Sequence, residues 1–317
     1  MPGYDTHYIF GIHGYRRMPE STIKKSISHY KNSYKLGLLG PDIFFYYATE
    51  IVAARKNIGS IMHTDKTDIF FKNCFEYIIH TTGHAREISV AYVSGFLSHY
   101  VLDTTMHPYV YWMTNYSNKG KDYLEKHFSL ETDIDISLMN TYLDTTPEDF
   151  FRNSQITLDT YEKYIISDLL HYSIRNTYKH SRITRSGIRA AIVSLQKEYK
   201  MLKLLSKRMK NAIGTIENAF IGQKYIAPLI PGGNVPKSKD PLNLSHSIWF
   251  NPWSTCVSSK KSVPQMLNDS REKYLVIISL YEDYLDNPYS SNSLVLLEKA
   301  IGKKSYHSGL NYKIPSW

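Results

Sequence analysis

The 317-residue sequence predicts an all-α protein, on three observations. Apolar residues recur at helical spacing along most of the chain, and strand-like alternation is scarce. Polar and proline start signals, with glycine stops, divide that pattern into segments of helix length. The composition is that of a folded globule, with 42% hydrophobic and 21% charged residues, and the length suffices for a substantial core.

Taken in order, Pro19-Glu20-Ser21-Thr22 opens a helix that runs to about Leu36 and stops at Gly37. Gly40-Pro41 makes a turn, from which Asp42 N-caps a helix from Ile43 to about Lys56. Further helices are expected over 64–81, 85–106, 120–141, 148–179 and 185–222. Asp65-Lys66-Thr67-Asp68 supplies a polar start, and Gly83 separates two of them. Pro108 disfavours the α-conformation at His107, so His107 is expected to leave its helix and aim away from His99. Residues 227–264 are proline-rich and irregular, yet Trp249 and Trp253 call for burial against the helices. Short helices near 265–286 and 291–301 close the chain. The expected layout is a helical domain over 1–226, with 227–317 packed upon it.

The balance of 38 basic and 29 acidic residues leaves a charge of +9, which favours anionic partners. The basic stripe Lys200–Lys210 reads more simply as a solvated helix face. No run of 18 uncharged apolar residues exists, so no transmembrane helix is expected, and contact with an anionic membrane would be peripheral. The first residues lack the basic and apolar regions of a secretory signal, which leads to an expectation of a cytoplasmic protein. Two cysteines, Cys74 and Cys256, exclude a disulfide scaffold and a cysteine-rich zinc module. A metal here must be held by nitrogen and oxygen.

Ten of the thirteen histidines precede residue 172, several at helical spacing from carboxylates. His99 and Asp103 are four residues apart and would project from one helix face. Phe96, Leu97, Tyr100, Val101 and Leu102 make that helix apolar nearly all round, so the pair should be buried. Buried His and Asp demand a partner or a metal. His127 and Glu131 repeat the spacing. Around these stand Thr6-His7, the segment Leu36-Gly37-Leu38-Leu39-Gly40-Pro41-Asp42, the segment Met62-His63-Thr64-Asp65, and His107-Pro108. In this order, over residues 1–135, they resemble the ligand series of the zinc-dependent phospholipase C family, which includes the clostridial alpha-toxins.

The resemblance implies an all-α bundle, distantly similar to the single-strand nucleases and 3′-nucleotidases. It also implies two or three Zn²⁺ ions and hydrolysis of a phospholipid or another phosphodiester. By position, Asp42, His63, His99 and Asp103 would surround one zinc. His107, His127 and Glu131 would hold a second, and Asp103 would bridge to a third bound by His7 and the chain's own N-terminus. Asp42 would double as general base, and Phe44, Phe45 and Tyr46 would line the substrate cleft. The alternatives are a nuclease-like phosphodiesterase on the same fold, with nucleic acid as substrate, and a zinc-binding homologue without turnover. The toxins' membrane-docking β-sandwich has no counterpart here, since 265–301 reads as helix. His80 and His84 match no ligand of the family and read as helix-end or solvent residues. His13, His29, His171, His180 and His307 are expected on the surface, and no acid supports a nucleophile at Ser245-His246.

Overall fold

A computed structural model of the chain describes residues 3–47, 57–142, 147–205, 207–222, 224–230, 235–236 and 239–312. Its helices are α1 (Tyr4–Arg17), α2 (Thr22–His29), α3 (Lys31–Gly37), α4 (Ile58–Met62), α5 (Thr67–Ile79), α6 (Gly83–Met113) and α7 (Tyr123–Tyr142). They continue with α8 (Pro147–Ser154), α9 (Thr160–Thr177), α10 (Arg185–Leu204), α11 (Lys207–Ile221), α12 (Val263–Asp286) and α13 (Ser291–Ile301). Strands β1 (Trp249–Asn251) and β2 (Ser254–Ser259) form an antiparallel hairpin, the only sheet among the described residues. The fold is all-α, as the periodicity predicts.

Helix α6 is the axis of the molecule. Every residue from Ile88 to Thr104 is buried, because apolar side chains occupy all sides of this stretch and α1, α2, α3, α9 and α12 pack around it. The tightest of these contacts is with α3. A Cβ on Gly95 would lie 2.2 Å from the Tyr34 carbonyl oxygen, and one on Gly37 would lie 2.1 Å from that of Tyr92. The two backbones therefore touch, and no side chain fits between them. Buried tyrosines fasten the surrounding layer: Tyr34 donates to the Gly11 carbonyl at 2.9 Å, and Tyr274 to that of Ser94 at 3.0 Å.

Several boundaries differ from those expected. The first predicted helix is broken at Tyr30 into α2 and α3, with Ser21 capping α2 through Lys24 N. Gly40–Tyr46 is a 3-10 helix, and the expected continuation over 48–56 lies outside the described residues. The stretches 148–179 and 185–222 are each divided in two. Helix α6 runs through Pro108 to Met113, so His107 stays helical. Proline has no N–H to give the Thr104 carbonyl. Gly309 (φ +63°) closes against that oxygen, which lies 2.3 Å from where a Cβ would stand. In the irregular segment, Trp249 is buried against Tyr109 with ring centroids 5.7 Å apart, while Trp253 remains partly exposed.

The α3–α6 contact yields a test. Gly95→Ala forces the two backbones apart and should cost about 1–3 kcal/mol, the usual range for overpacking. The midpoint of denaturant unfolding is the measurement.

Candidate metal centre

The candidate ligands come from five places in the chain, the last of them His127 and Glu131 on α7. Asp135 of α7 accepts from Thr6 N at 2.9 Å and from Thr6 Oγ1 at 2.5 Å. It thereby caps the first turn of α1, where Gly3 offers no side chain, and sets the position of His7. Asp42 stands in the 3-10 turn after α3. His63 ends α4. His99, Asp103 and His107 lie at successive i, i+4 positions on one face of α6, so all three point the same way.

Asp103 is the focus. It is fully buried, with His7 Nε2 3.1 Å from Oδ1, His99 Nε2 3.0 Å from Oδ2 and His107 Nδ1 3.6 Å from Oδ2. The rings of His7 and His99 stack at 4.2 Å. On the other side of His99, Asp42 Oδ1 lies 3.3 Å from His63 Nε2. Two groups, His7–His99–Asp103 and Asp42–His63–His99, each offer ligand atoms within 4.8 Å of one another. His99 belongs to both.

Three imidazoles are oriented by main-chain carbonyls. His63 Nδ1 donates to Gly59 O at 2.7 Å, His99 Nδ1 to Leu38 O at 3.0 Å, and His107 Nδ1 to Tyr306 O at 2.8 Å. A carbonyl can only accept, so each Nδ1 carries the proton and Nε2 is left to present a lone pair to an ion. Burial lowers the pKa of His7, with His99 adding to the effect, and burial also takes His107 and His127 well below the usual imidazole range. His99 goes the other way: burial opposes its charge, but the Asp103 and Asp42 carboxylates outweigh it. Asp103 itself is held well below the carboxylate range, since the nearby His107 and His99 overcome its burial. The carboxylates that favour a proton on His99 equally favour a cation beside it.

The residues fit a metal. His7 Nδ1 and Nε2, both oxygens of Asp42 and of Asp103, and Nε2 of His99 and His107 are buried without a hydrogen-bond partner. Orphaned polar atoms in this number are costly unless a cation collects them. A donor set of imidazole nitrogens and carboxylate oxygens suits zinc.

Through Asp42 and His63 the second group opens onto a cavity of about 600 Å³ that His107, His127 and Glu131 also line. His127 Nε2 lies 2.9 Å from Glu131 Oε1, and its Nδ1 meets Tyr123 OH at 3.2 Å. Among the described residues, His107, His127 and Glu131 share the cavity without closing into a group as tight as the other two. Phe45 and Tyr46 line the wall, but Phe44 does not. Its side chain is fully buried in the core, which corrects the expectation for that residue. Tyr111, Tyr116 and Tyr123 form an aromatic side, where Lys119 Nζ sits 3.7 Å over the Tyr116 ring. Met1 and Pro2, the terminus expected to serve a third ion, lie outside the described residues. His80 and His84 are exposed and distant from this cluster in the fold, with His84 bound to Tyr30 OH at 2.6 Å.

One part of the site was not foreseen. Residues 304–312, closed by a bridge between Lys304 and Asn311, form a strap across the cluster. Tyr306 N and Ser305 Oγ both donate to the His63 carbonyl, at 2.9 and 3.0 Å, and Tyr306 O accepts from His107 Nδ1. Asn251, within the Pro-rich segment, anchors the strap by donating to Ser308 O at 2.8 Å. His307, expected on the surface, instead lines the cavity with its ring 5.3 Å from that of His63. Burial, then His63, lower its pKa to about 3, so it is a neutral imidazole. The local sequence Tyr306-His307-Ser308-Gly309 carries no spacing that would have revealed it.

Gly309 tests the strap. Gly309→Ala would drive a Cβ into the Thr104 carbonyl and carry the acceptor away from His107. Metal affinity, read by titration with a competing chelator, should fall about 10–100-fold, as for loss of other ligand-orienting contacts.

Sequence comparison bears on the same residues. The family described as zinc dependent phospholipase C matches residues 6–213, a span that includes every candidate ligand from His7 to Glu131 and ends before the strap. Neither the curated proteins nor the solved structures hold a significant match. With well over half of its length matched and a buried nitrogen and oxygen donor cluster inside that span, the chain belongs to the zinc-dependent phospholipase C family.

Proposed function

We propose that the protein is a zinc-dependent phosphodiesterase that hydrolyses phospholipids in the manner of phospholipase C, releasing diacylglycerol and a phosphorylated headgroup. The observation that carries this reading is the convergence of orphaned donors around Asp103 at the edge of a cavity with an aromatic wall. Zinc bound there would supply Lewis acidity, neutralising charge on the phosphodiester as the scissile bond breaks. Asp103 and His99 hold the centre of the donor set, His7 and His63 flank it, and His107, His127 and Glu131 provide the second cluster across the cavity.

Asp42 acts as general base. Both its oxygens are buried without a hydrogen bond, and one faces His63 at 3.3 Å, so a carboxylate lies beside the cavity ready to take a proton from the attacking water. Phe45, 43% exposed, and the Tyr111–Tyr116 side offer apolar contact to the lipid. Residues 227–317 belong to the same catalytic unit in this reading, which the strap's contacts to His63 and His107 support. No described helix is long and apolar enough to cross a membrane, and approach to the bilayer is taken as peripheral.

Hydrolysis rates on phosphatidylcholine, single-stranded DNA and a chromogenic phosphodiester, measured side by side, test the assignment. Turnover of the lipid is expected to exceed that of DNA. A preference for DNA would support the nuclease-like alternative, and no turnover on any substrate a binding protein. Asp103→Asn keeps the shape but removes the central charge, so metal content and activity should fall together. His80→Ala and His84→Ala should change neither. Glu131→Gln should lower kcat by about 10–100-fold with circular dichroism unchanged, the scale of a disturbed metal-site contact. Unaltered kcat would make Glu131 a structural residue.

A further inference from the structure

We propose that a second cleft, on the outer side of the strap between α5, α12 and the end of α13, binds a phosphomonoester. The inference is independent of the reading of the metal centre. The cleft has a volume of about 590 Å³, within the range of small-molecule sites, and its walls carry Lys72, Lys273, Lys299, Lys303 and Lys304. Two acids are present, and both are engaged. Glu298 pairs with Lys72 at 3.4 Å, and Asp68 accepts from Tyr312 OH. The other four ammonium groups have no carboxylate partner and donate to no carbonyl among the described residues.

Lys273 is the informative one. Its ammonium stands 5.8 Å from the centre of the Tyr100 ring, half-buried, with the chain of Lys304 beside it. A half-buried ammonium with no carboxylate beside it is open to an anion that enters the cleft. Burial and the neighbouring Lys304 lower its pKa to about 8, which an anion between the two would reverse. The simplest competing use, capping the last carbonyls of α13, is not made: Gly302 N takes the Glu298 carbonyl at 2.9 Å, and the lysine heads are elsewhere.

Several separate point charges around one space suit a dianion with three acceptor oxygens better than a planar carboxylate, for which an arginine fork is the usual match. None of the residues that line the cleft is aromatic, so it offers no ring for stacking a nucleobase. A phosphomonoester on a polyol, either free or as the head of an acidic lipid, meets both conditions. The cleft also touches the strap directly. Lys304 N donates to Tyr100 OH at 3.1 Å, and the Lys304 carbonyl receives Thr67 Oγ1 at 3.0 Å, so an occupant would sit one residue from Ser305 and its bond to His63.

The test uses the zinc-loaded full-length protein and two probes. Glycerol 3-phosphate is titrated by calorimetry, and phosphatidylcholine vesicles with or without phosphatidic acid are used in co-sedimentation. Lys303→Gln/Lys304→Gln should weaken binding of at least one probe about tenfold or more, the scale of lost charge-assisted hydrogen bonds, with zinc content unchanged. Lys197→Gln/Lys200→Gln makes the same change in net charge on α10, outside the cleft, and should leave binding as in the wild type. Lys273→Met should abolish the same binding without lowering the Tm of the unliganded protein, because it removes a half-buried unpaired charge. An effect on glycerol 3-phosphate assigns the cleft to a soluble headgroup, and an effect only on phosphatidate vesicles assigns it to a lipid. Equal weakening by the α10 control would reduce the effect to net charge and overturn the site, as would binding of both probes that none of the cleft variants alters.

Discussion

Asp103 is a carboxylate with no access to water, set among the imidazoles of His7, His99 and His107. Burying such a group uncompensated costs several kcal/mol even after the protein relaxes. Its presence makes sense only with positive charge close by, and the arrangement around it is built to accept that charge at one place. Both its oxygens and the Nε2 atoms of His7 and His99 converge without bonding to one another as hydrogen-bonded pairs would. The rest of the site supplies either a second donor group or the means of holding the first in place.

The holding is done largely by main-chain carbonyls, and these tie the centre to the fold. Leu38 O reaches His99 because α3 crosses α6 with the two backbones in contact at Gly37 and Gly95. Gly59 O is one turn back from His63 in α4. Tyr306 O reaches His107 from the far end of the chain. Two carbonyls remote in sequence and one from the preceding turn therefore set three ring orientations. Since a carbonyl accepts and never donates, each also sets which ring nitrogen is free to bind an ion.

The strap gives the C-terminal third of the chain a place in the site. It lies beyond the span shared with the family, yet it contacts His63 and His107 directly and brings His307 into the cavity. Anchoring by Asn251 links the irregular segment and its hairpin to the same cluster. The lysine-lined cleft on the strap's other face puts a charged surface within one residue of these contacts. The metal centre is thus enclosed on one side by helices of the matched span and on the other by a loop that follows it in the chain.

Helix content, the buried character of α6 and the His99–Asp103 pairing were legible in the sequence, because each is a matter of short-range periodicity. Apolar residues on all sides of one helix require burial, and residues four apart on a helix share a face whatever surrounds them. Motif order similarly singled out His7, Asp42 and His63 as companions of that pair. Tertiary structure decided the rest. Pro108 alone argues that His107 leaves the helix, but packing of Gly309 against the freed Thr104 carbonyl accompanies an α6 that continues through it and keeps His107 on the face of His99. Phe44, Phe45 and Tyr46 are alike in sequence, and only the turn of the 3-10 helix sends Phe44 to the core and the other two to the cavity. His307 has no local signature at all. Its place in the site rests on hydrogen bonds between residues more than 190 positions apart, such as His107 to Tyr306, and no pattern within a helical turn can encode a contact of that range.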